Sequence, residues 1–368
     1  MADLLKNLYG ASFFKQYCTA LTTVIPSFDV DAFDKAVHTA EWEAMELKQR
    51  MKHLTQVTDQ VLPIKYTDKV ATIIDIIGAL RSQGVGDQNF IYTFLTDIIP
   101  LHGLQDIETS ISAIEKITSF TSFEFAGRLF FVHHPDRMMN QMKIWARHTN
   151  PHVRRYASEG CRPRLPWGLQ LKQFVLDPNP IIPVLELMME DDSEYVRKSV
   201  ANNLNDISKD HPEVVINLIK KWKDASKNTN WILKHGARTL LKSGHPEALS
   251  LFGTSTETPC TIQEFVLDKD KIQLDDEIKM TFSLQNDATE DAQFRLEYVI
   301  HFVKQRGQTS KKIFKISESQ IAAKATKVMT KTHKFSDLST RKHYTGLHTI
   351  ALVVNGVQKD ISTFHLEA

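Results

Sequence analysis

NPHVRRYASEGC (150–161), SEYVRKSVANNL (193–204) and NWILKHGARTLL (230–241) are three versions of one pattern. Each opens on a residue type that caps helices, places an apolar residue three positions later, and follows it with a basic one. Apolar or small side chains return four and eight positions on: Ala157 and Cys161, Val200 and Leu204, Ala237 and Leu241. Pro151 stands where a first helical residue would be, a position that has no use for the missing N–H. Val153 and Val196 are 43 residues apart, and Val196 and Leu233 are 37 apart. Helix pairs recurring near 40 residues mark HEAT-like solenoids. The fold expected is mainly α: a HEAT-like α-solenoid over residues 1–252, followed by a smaller domain of different character.

Upstream of the repeat the chain also reads as helical. DAFDKAVHTAEWEAMELKQRMKHLTQVTDQVL (31–62) lacks Gly and Pro, and Leu47, Met51 and Leu54 share one helical face. Further helices are expected near 67–82, 88–99, 107–118 and 122–132, broken at Gly84, Gly86, Pro100 and Gly103. After Gly253 the stretch GTSTETPCT (253–261) marks a boundary. Alternating or β-branched segments follow: TIQEFVL, EIKMTFSLQN, FRLEYVIHFV, KKIFKI, KVMTKTHKF, HTIALVV and VQKDISTF, with the hairpin pair Asn355-Gly356 between the last two. Seven short strands over 253–368 suggest an all-β immunoglobulin-like sandwich, with a barrel as the alternative.

With 45 Lys plus Arg against 44 Asp plus Glu, the chain is no polycation, but its charge is unevenly placed. From Arg137 to Lys172 there are eight basic residues and one acid, Glu159. From Lys304 to Lys342 there are eleven basic residues against Glu318 and Asp337. Two such tracts suit a phosphate backbone; solvated faces with helical ion pairs are the plainer account. The expected phosphate contacts are Arg154, Arg155, Arg162, Arg164 and Lys198 in the repeats and Lys311 and Lys312 in the β region. With Val153 facing the core, Arg155, Glu159 and Arg162 fall on the opposite helix face at i, i+4 and i+7. Asn202 takes the place of Glu159 in the next repeat, and Asp206 lies one turn later, so stacking would align Glu159, Asn202 and Asp206 along one surface.

Glu159 among arginines needs a reason. Ion pairing with Arg155 and Arg162 is one; stabilising a sugar cation as a base departs is the other. Trp167, behind Pro163 and Pro166, reads as an aromatic wall or as packing between repeats. Trp42, Trp145, Trp222 and Trp231 read as core. His133-His134 form no metal site by spacing, and Cys18, Cys161 and Cys260 form neither a disulfide framework nor a zinc motif. No apolar run is long enough to span a bilayer, and Asp3 and Lys6 interrupt the N-terminal apolar residues, so a soluble cytoplasmic protein is expected.

ELKQRM (46–51), HVRRYASEGCRPRLPW (152–167), SEYVRKSVANNLNDISKDHP (193–212) and RTLLKSG (238–244) resemble the AlkC branch of the AlkC/AlkD HEAT-like-repeat DNA glycosylases. The β region resembles the immunoglobulin-like domain that some members of that branch carry. The resemblance implies hydrolysis of the N-glycosidic bond of cationic alkylated bases such as 3-methyladenine and 3-methylcytosine. The implied partner is double-stranded DNA, bound by a monomer, associated with the nucleoid, with no metal or cofactor. It matches Glu124, Glu159 and Asp206 to the acidic positions of the family's active site, and Trp167 to an aromatic position near the lesion. It further implies that the lesion is not flipped out of the duplex. A non-catalytic HEAT-type DNA-binding or scaffold protein is the alternative.

Overall fold

The computed structural model describes residues 5–338 and 341–367. Its helices are α1 (Ala11–Val24), α2 (Val30–Val37), α3 (Leu47–Val61), α4 (Tyr66–Ser82), α5 (Phe94–Gly103), α6 (Ile107–Phe120), α7 (Arg128–His133) and α8 (Pro135–Trp145). They continue as α9 (Pro151–Glu159), α10 (Lys172–Leu176), α11 (Ile182–Glu186), α12 (Glu194–Ile207), α13 (Pro212–Trp222), α14 (Lys227–Gly236), α15 (Arg238–Lys242) and α16 (Pro246–Leu251). Two compact units result. One holds residues up to His211 together with Asp224–Gly236; the other holds Pro212–Lys223 and everything from Ala237 on. Helices α13, α15 and α16 therefore pack with the β region, although composition changes only after Gly253.

In the first unit the apolar positions of the three aligned segments are buried, while the helix edges differ from those expected. Val153, Ala157, Cys161, Val196, Val200, Leu204 and Leu233 are all buried. The Asn150 side chain accepts from His152 N at 2.9 Å and Pro151 opens α9. The third repeat starts earlier than Asn230: Ser226 Oγ accepts from Thr229 N at 3.1 Å, and Asn230 lies inside α14, bonded to Asp224. Helix α12 packs on α9 and on α14. A Cβ on Gly236 would lie 2.8 Å from Leu204 Cβ, so only glycine permits that last approach.

Four other helical expectations are corrected. Residues 31–62 are two helices, because Trp42 buries in a short 3₁₀ turn and a reciprocal Glu46–Gln49 cap starts α3 afresh. Helix α5 runs through Pro100 to Gly103 instead of stopping there. The segment 122–132 is helical only from Arg128; Glu124 sits in the preceding turn. Helix α9 ends at Glu159 with Gly160 as its cap, so Arg162 lies beyond the helix. Trp42 and Trp145 are core and Trp222 is half-buried, but Trp231 is exposed and stacks on His235.

The second unit contains β1 (Cys260–Leu267), β2 (Lys271–Ile272), β3 (Glu277–Asn286), β4 (Ala292–Val303), β5 (Thr309–Ile321), β6 (Thr326–Lys334), β7 (Gly346–Val354) and β8 (Val357–Leu366). All seven expected segments are strands; β2, two residues long, is the addition. The sheets run β1-β3-β6 and β2-β8-β7-β4-β5. Alternation does the folding: Ile278, Met280, Phe282 and Leu284 of β3 meet Phe294, Leu296, Tyr298 and Ile300 of β4 in shared apolar clusters. Asn355 and Gly356 both have positive φ and turn Val354 back onto Val357. Among the described residues, no helix is long and apolar enough to cross a membrane.

Candidate active site

The site grows from the end of α9. Glu159 is the last residue of that helix, 5 % exposed. Burial alone would cost a carboxylate dearly, so it must be paired. Its Oε1 accepts from Arg162 Nη1 at 2.6 Å and lies 3.5 Å from Arg155 Nη2; its Oε2 accepts from Ser199 Oγ of α12 at 2.5 Å. Burial pushes its pKa up, but the charges of Arg155 and Arg162 and the hydrogen bonds from Ser199 and Arg162 outweigh that, leaving it below the ordinary carboxylate value.

The pairing continues in both directions. Arg155 Nη1 donates to Glu124 Oε2 and, at 2.6 Å, to Ser122 Oγ, whose own hydroxyl donates to Glu124. The Arg155 guanidinium also lies 5.1 Å from the Tyr195 ring centroid. Arg162 Nε donates to Asp206 Oδ2 at 2.8 Å, its Nη2 lies 2.8 Å from the same oxygen, and Lys209 Nζ donates to Asp206 Oδ1 at 2.8 Å. Burial lowers the pKa of both arginines, yet the neighbouring carboxylates win and raise it overall. Glu124, Arg155, Glu159, Arg162, Asp206 and Lys209 thus form one alternating chain of charge crossing from the turn before α7, through α9, to α12.

Helix packing sets this register. Ser199, one turn before Asn202, is what meets Glu159. Asp206, two turns beyond Ser199 on α12, reaches Glu159 through Arg162. Nor is the row an exposed face: Glu159, Arg162 and Asp206 are all buried. Their helices stack side by side, which covers the surface that a single helix would show to solvent.

Trp167 differs. It is 65 % exposed, which removes the reading as packing between repeats. Its φ of 66° places a bulky residue in the left-handed region, where strain needs support. Lys48 supplies it, donating to Trp167 O at 3.2 Å with its ammonium 5.7 Å from the ring centroid. Arg128 supports the same loop from beneath. Fully buried, it donates to Leu169 O, to Arg162 O at 2.7 Å and to Gly160 O at 3.4 Å; burial pulls its pKa down to about 10.

The expected phosphate contacts are variously engaged. Arg154 grips Asp191 through Nε at 2.6 Å and Nη2 at 3.0 Å, Arg164 pairs with Asp210 at 2.7 Å and Lys198 with Glu194 at 2.7 Å. Arg155 and Arg162 belong to the buried chain. Lys311 and Lys312 are exposed on β5 with no carboxylate partner among the described residues, and Lys312 lies 5.6 Å from the Phe314 ring centroid. Sequence reading missed Ser122, Ser199 and Arg128, because a hydroxyl or a buried guanidinium announces nothing before packing. Lys48 was within reach, inside ELKQRM.

The chain is similar over its whole length to known proteins. Residues 105–240 match the model of the DNA alkylation repair enzyme family, and residues 261–368 match a C-terminal immunoglobulin-like domain described from the uncharacterised protein YhaZ. The chain is 38% identical over 366 residues to the uncharacterised protein YhaZ of Bacillus subtilis, covering 100% of both. It is 33% identical to the alkylpurine DNA glycosylase AlkC of Pseudomonas fluorescens, solved bound to DNA containing an abasic site analog, with a TM-score of 0.92 over 100% of both chains. The protein therefore belongs to the AlkC branch of the DNA alkylation repair glycosylases and carries that branch's immunoglobulin-like domain at its C-terminus.

Proposed function

We propose that the protein is a monofunctional DNA glycosylase that hydrolyses the N-glycosidic bond of cationic alkylated bases, 3-methyladenine and 3-methylcytosine among them, in double-stranded DNA. The observation that carries this is Glu159, a buried carboxylate kept ionised beside two other acids in a family of alkylpurine glycosylases. A cationic base leaves with the bonding electron pair and becomes neutral, so no general acid is needed. The deoxyribose is left as an oxocarbenium-like cation. Glu159 would stabilise that charge and orient a water, whose oxygen bonds to C1′ while its proton passes to solvent. Asp206 and Glu124 would hold the arginines that fix Glu159, or meet the lesion themselves. Trp167 would be the aromatic wall of the lesion site, with the lesion left at the surface of the duplex.

In this reading residues 1–252 form a HEAT-like solenoid that carries the chemistry, as a monomer, and residues 253–368 form an accessory domain whose Lys311 and Lys312 face phosphate. Arg154, Arg155, Arg162, Arg164 and Lys198 would contribute field more than direct contact, since each is already paired. The protein would act in the cytoplasm, at the nucleoid. That same pairing favours the second reading, a DNA-binding or scaffold protein in which the charge chain merely staples helices together. Incubation with duplex DNA carrying 3-methyladenine or 3-methylcytosine separates them. Release of free base supports the enzyme; DNA binding without release supports the scaffold.

A further inference from the structure

Helices α9 and α12 pack together, and each presents one pair of side chains to the other. Arg155 and Glu159 stand one turn apart on α9; Tyr195 and Ser199 stand one turn apart on α12. Ser199 Oγ donates to Glu159 Oε2 at 2.5 Å, and the Tyr195 ring centroid lies 5.1 Å from the Arg155 guanidinium. Glu159 thus meets a hydroxyl donor and Arg155 meets an aromatic face. Tyr195 is 37 % exposed, yet it is held on two further sides. Its Oη donates to Gln88 Oε1 at 2.7 Å, and the ring of His152 meets it edge-on with centroids 5.7 Å apart. Gln88 comes from the segment between α4 and α5 and is itself fixed: its Nε2 donates to Thr118 O at 3.1 Å and Ser119 O at 3.0 Å, and its φ of 60° lies in the left-handed region. The phenol lies in the field of the charge chain. Burial raises its pKa, Arg155 lowers it, and Glu124 and Glu159 raise it. On the ring's other side, His152 feels Asp87, Arg155 and Arg81.

We propose that Tyr195 is a positioning residue of the glycosylase site: its ring closes one side of Arg155, holding the guanidinium on Glu124 and Glu159 and away from DNA phosphate. Arg155 already has two carboxylates, so the ring is not needed to satisfy its charge. What the ring adds is direction and the exclusion of water, and a charge pair kept from water is stronger. A guanidinium free to turn would fit a phosphate as well as a carboxylate, because both accept its planar fork. Glu159 would then lose one of the two cations that keep it ionised, and its carboxylate could rotate away from the reacting sugar. The bond to Gln88 keeps the ring from swinging into solvent at the start of α12. The role rests on the glycosylase reading, but the hold on Arg155 is observable without any chemistry.

Tyr195→Leu in the full-length protein removes the aromatic face but keeps an apolar side chain at a partly exposed position, so the thermal midpoint should move little. Single-turnover excision of 3-methyladenine from duplex DNA should fall by about tenfold to a hundredfold, the scale of a misplaced catalytic group. Its acid decline should move up in pH, because burial already raises the pKa of Glu159 and part of the opposing Arg155 charge is then lost. The slope of log DNA affinity against log salt should steepen by about one, as Arg155 becomes available to a phosphate. Tyr195→Phe, which restores the ring without the Gln88 bond, should recover most of each change. Tyr195→Met repeats the three readings if Tyr195→Leu lowers the midpoint. An excision loss that only follows the folded fraction, with the acid limb and salt slope of the parent, makes Tyr195 a structural residue and overturns the proposal. Equal changes in Tyr195→Phe and Tyr195→Leu overturn it as well, since the hydroxyl and not the ring would then carry the effect. Base release by the unaltered protein is measured separately. Its absence sinks the glycosylase reading, while the salt slope, read from binding alone, still decides whether Tyr195 holds Arg155.

Discussion

Glu159 and Asp206 are tied together through one guanidinium. Arg162 reaches Glu159 with Nη1 at 2.6 Å and Asp206 with Nε and Nη2 at 2.8 Å. The consequence is that neither acid can be altered without exposing the other's partner. A buried pair broken on one side costs about 3–5 kcal/mol, more than the pair itself contributes. Chemistry and stability must therefore be read in the same variant.

Glu159→Gln keeps the shape and the hydrogen-bonding oxygen but removes the charge. Excision of 3-methyladenine should fall by about 10²–10³, the usual loss when a transition-state charge partner is removed. DNA affinity should stay the same or tighten, since a negative group is lost. Stability should drop by about 1–3 kcal/mol through weakened charge-assisted bonds. Single-turnover excision measured beside urea unfolding decides the matter. If excision falls only as far as the folded fraction does, Glu159 is a structural residue.

The lowered pKa of Glu159 gives a sign to the pH dependence. A depressed carboxylate contributes stability above its unfolded value, lost only as pH falls through the lower folded value. Excision should accordingly be flat from about pH 6 to 8, with its acid decline below the ordinary carboxylate range. A profile with an acid limb centred in that neutral window would assign the essential group elsewhere.

Asp97 carries the opposite sign. Its folded pKa is raised to about 6, so its contribution is fully present below the unfolded value and is lost as pH rises through 6. Tyr9, whose hydroxyl feels the Asp97 charge, and Lys48 and Lys52, which line one cavity with Asp97, are the other titratable groups facing it. Asp97→Asn should therefore be more stable than the parent at pH 8, by on the order of 1–3 kcal/mol, with the gap closing by about pH 4. Urea midpoints at the two pH values check this; parallel curves would show that Asp97 finds a partner in solution.

Trp167 is the residue whose loss should spare the fold. Trp167→Gly removes an exposed ring and relieves a left-handed backbone, so the thermal midpoint should hold or rise slightly. Excision should fall at least tenfold if the ring is a wall for the lesion. Lys48→Met, which releases both the carbonyl and the ring, should give a smaller loss in the same direction. Unchanged excision in both variants would leave Trp167 without a part in the reaction.

On the β region, Lys311→Gln with Lys312→Gln should reduce the slope of log affinity against log salt by about 2, close to one unit per phosphate contact. Full-length protein is the right material, because α13, α15 and α16 pack with the β region and a truncation would strip them. Binding isotherms across salt concentrations measure the slope. An unaltered slope would place these lysines away from DNA.

The sequence by itself determined the elements and the family. Apolar spacing of three and four fixed which faces of α9 and α12 are buried, strict alternation fixed β3, and Asn355-Gly356 fixed the hairpin of β7 and β8, because each is a property of neighbouring residues in the chain. Long motifs then pointed to one family, whose resemblance made Glu124, Glu159, Asp206 and Trp167 the expected site residues. Tertiary structure alone decided what those residues touch. That Ser199 meets Glu159 depends on how far α12 slides along α9, a register no single helix records. That Arg162 bridges two acids depends on α9 ending at Gly160. That Arg155 is half-buried and paired rather than presented to phosphate depends on Tyr195 and Glu124 arriving from other segments. Spacing along the chain specifies faces; only packing between chain-distant helices decides whether a charged face meets solvent or another charge.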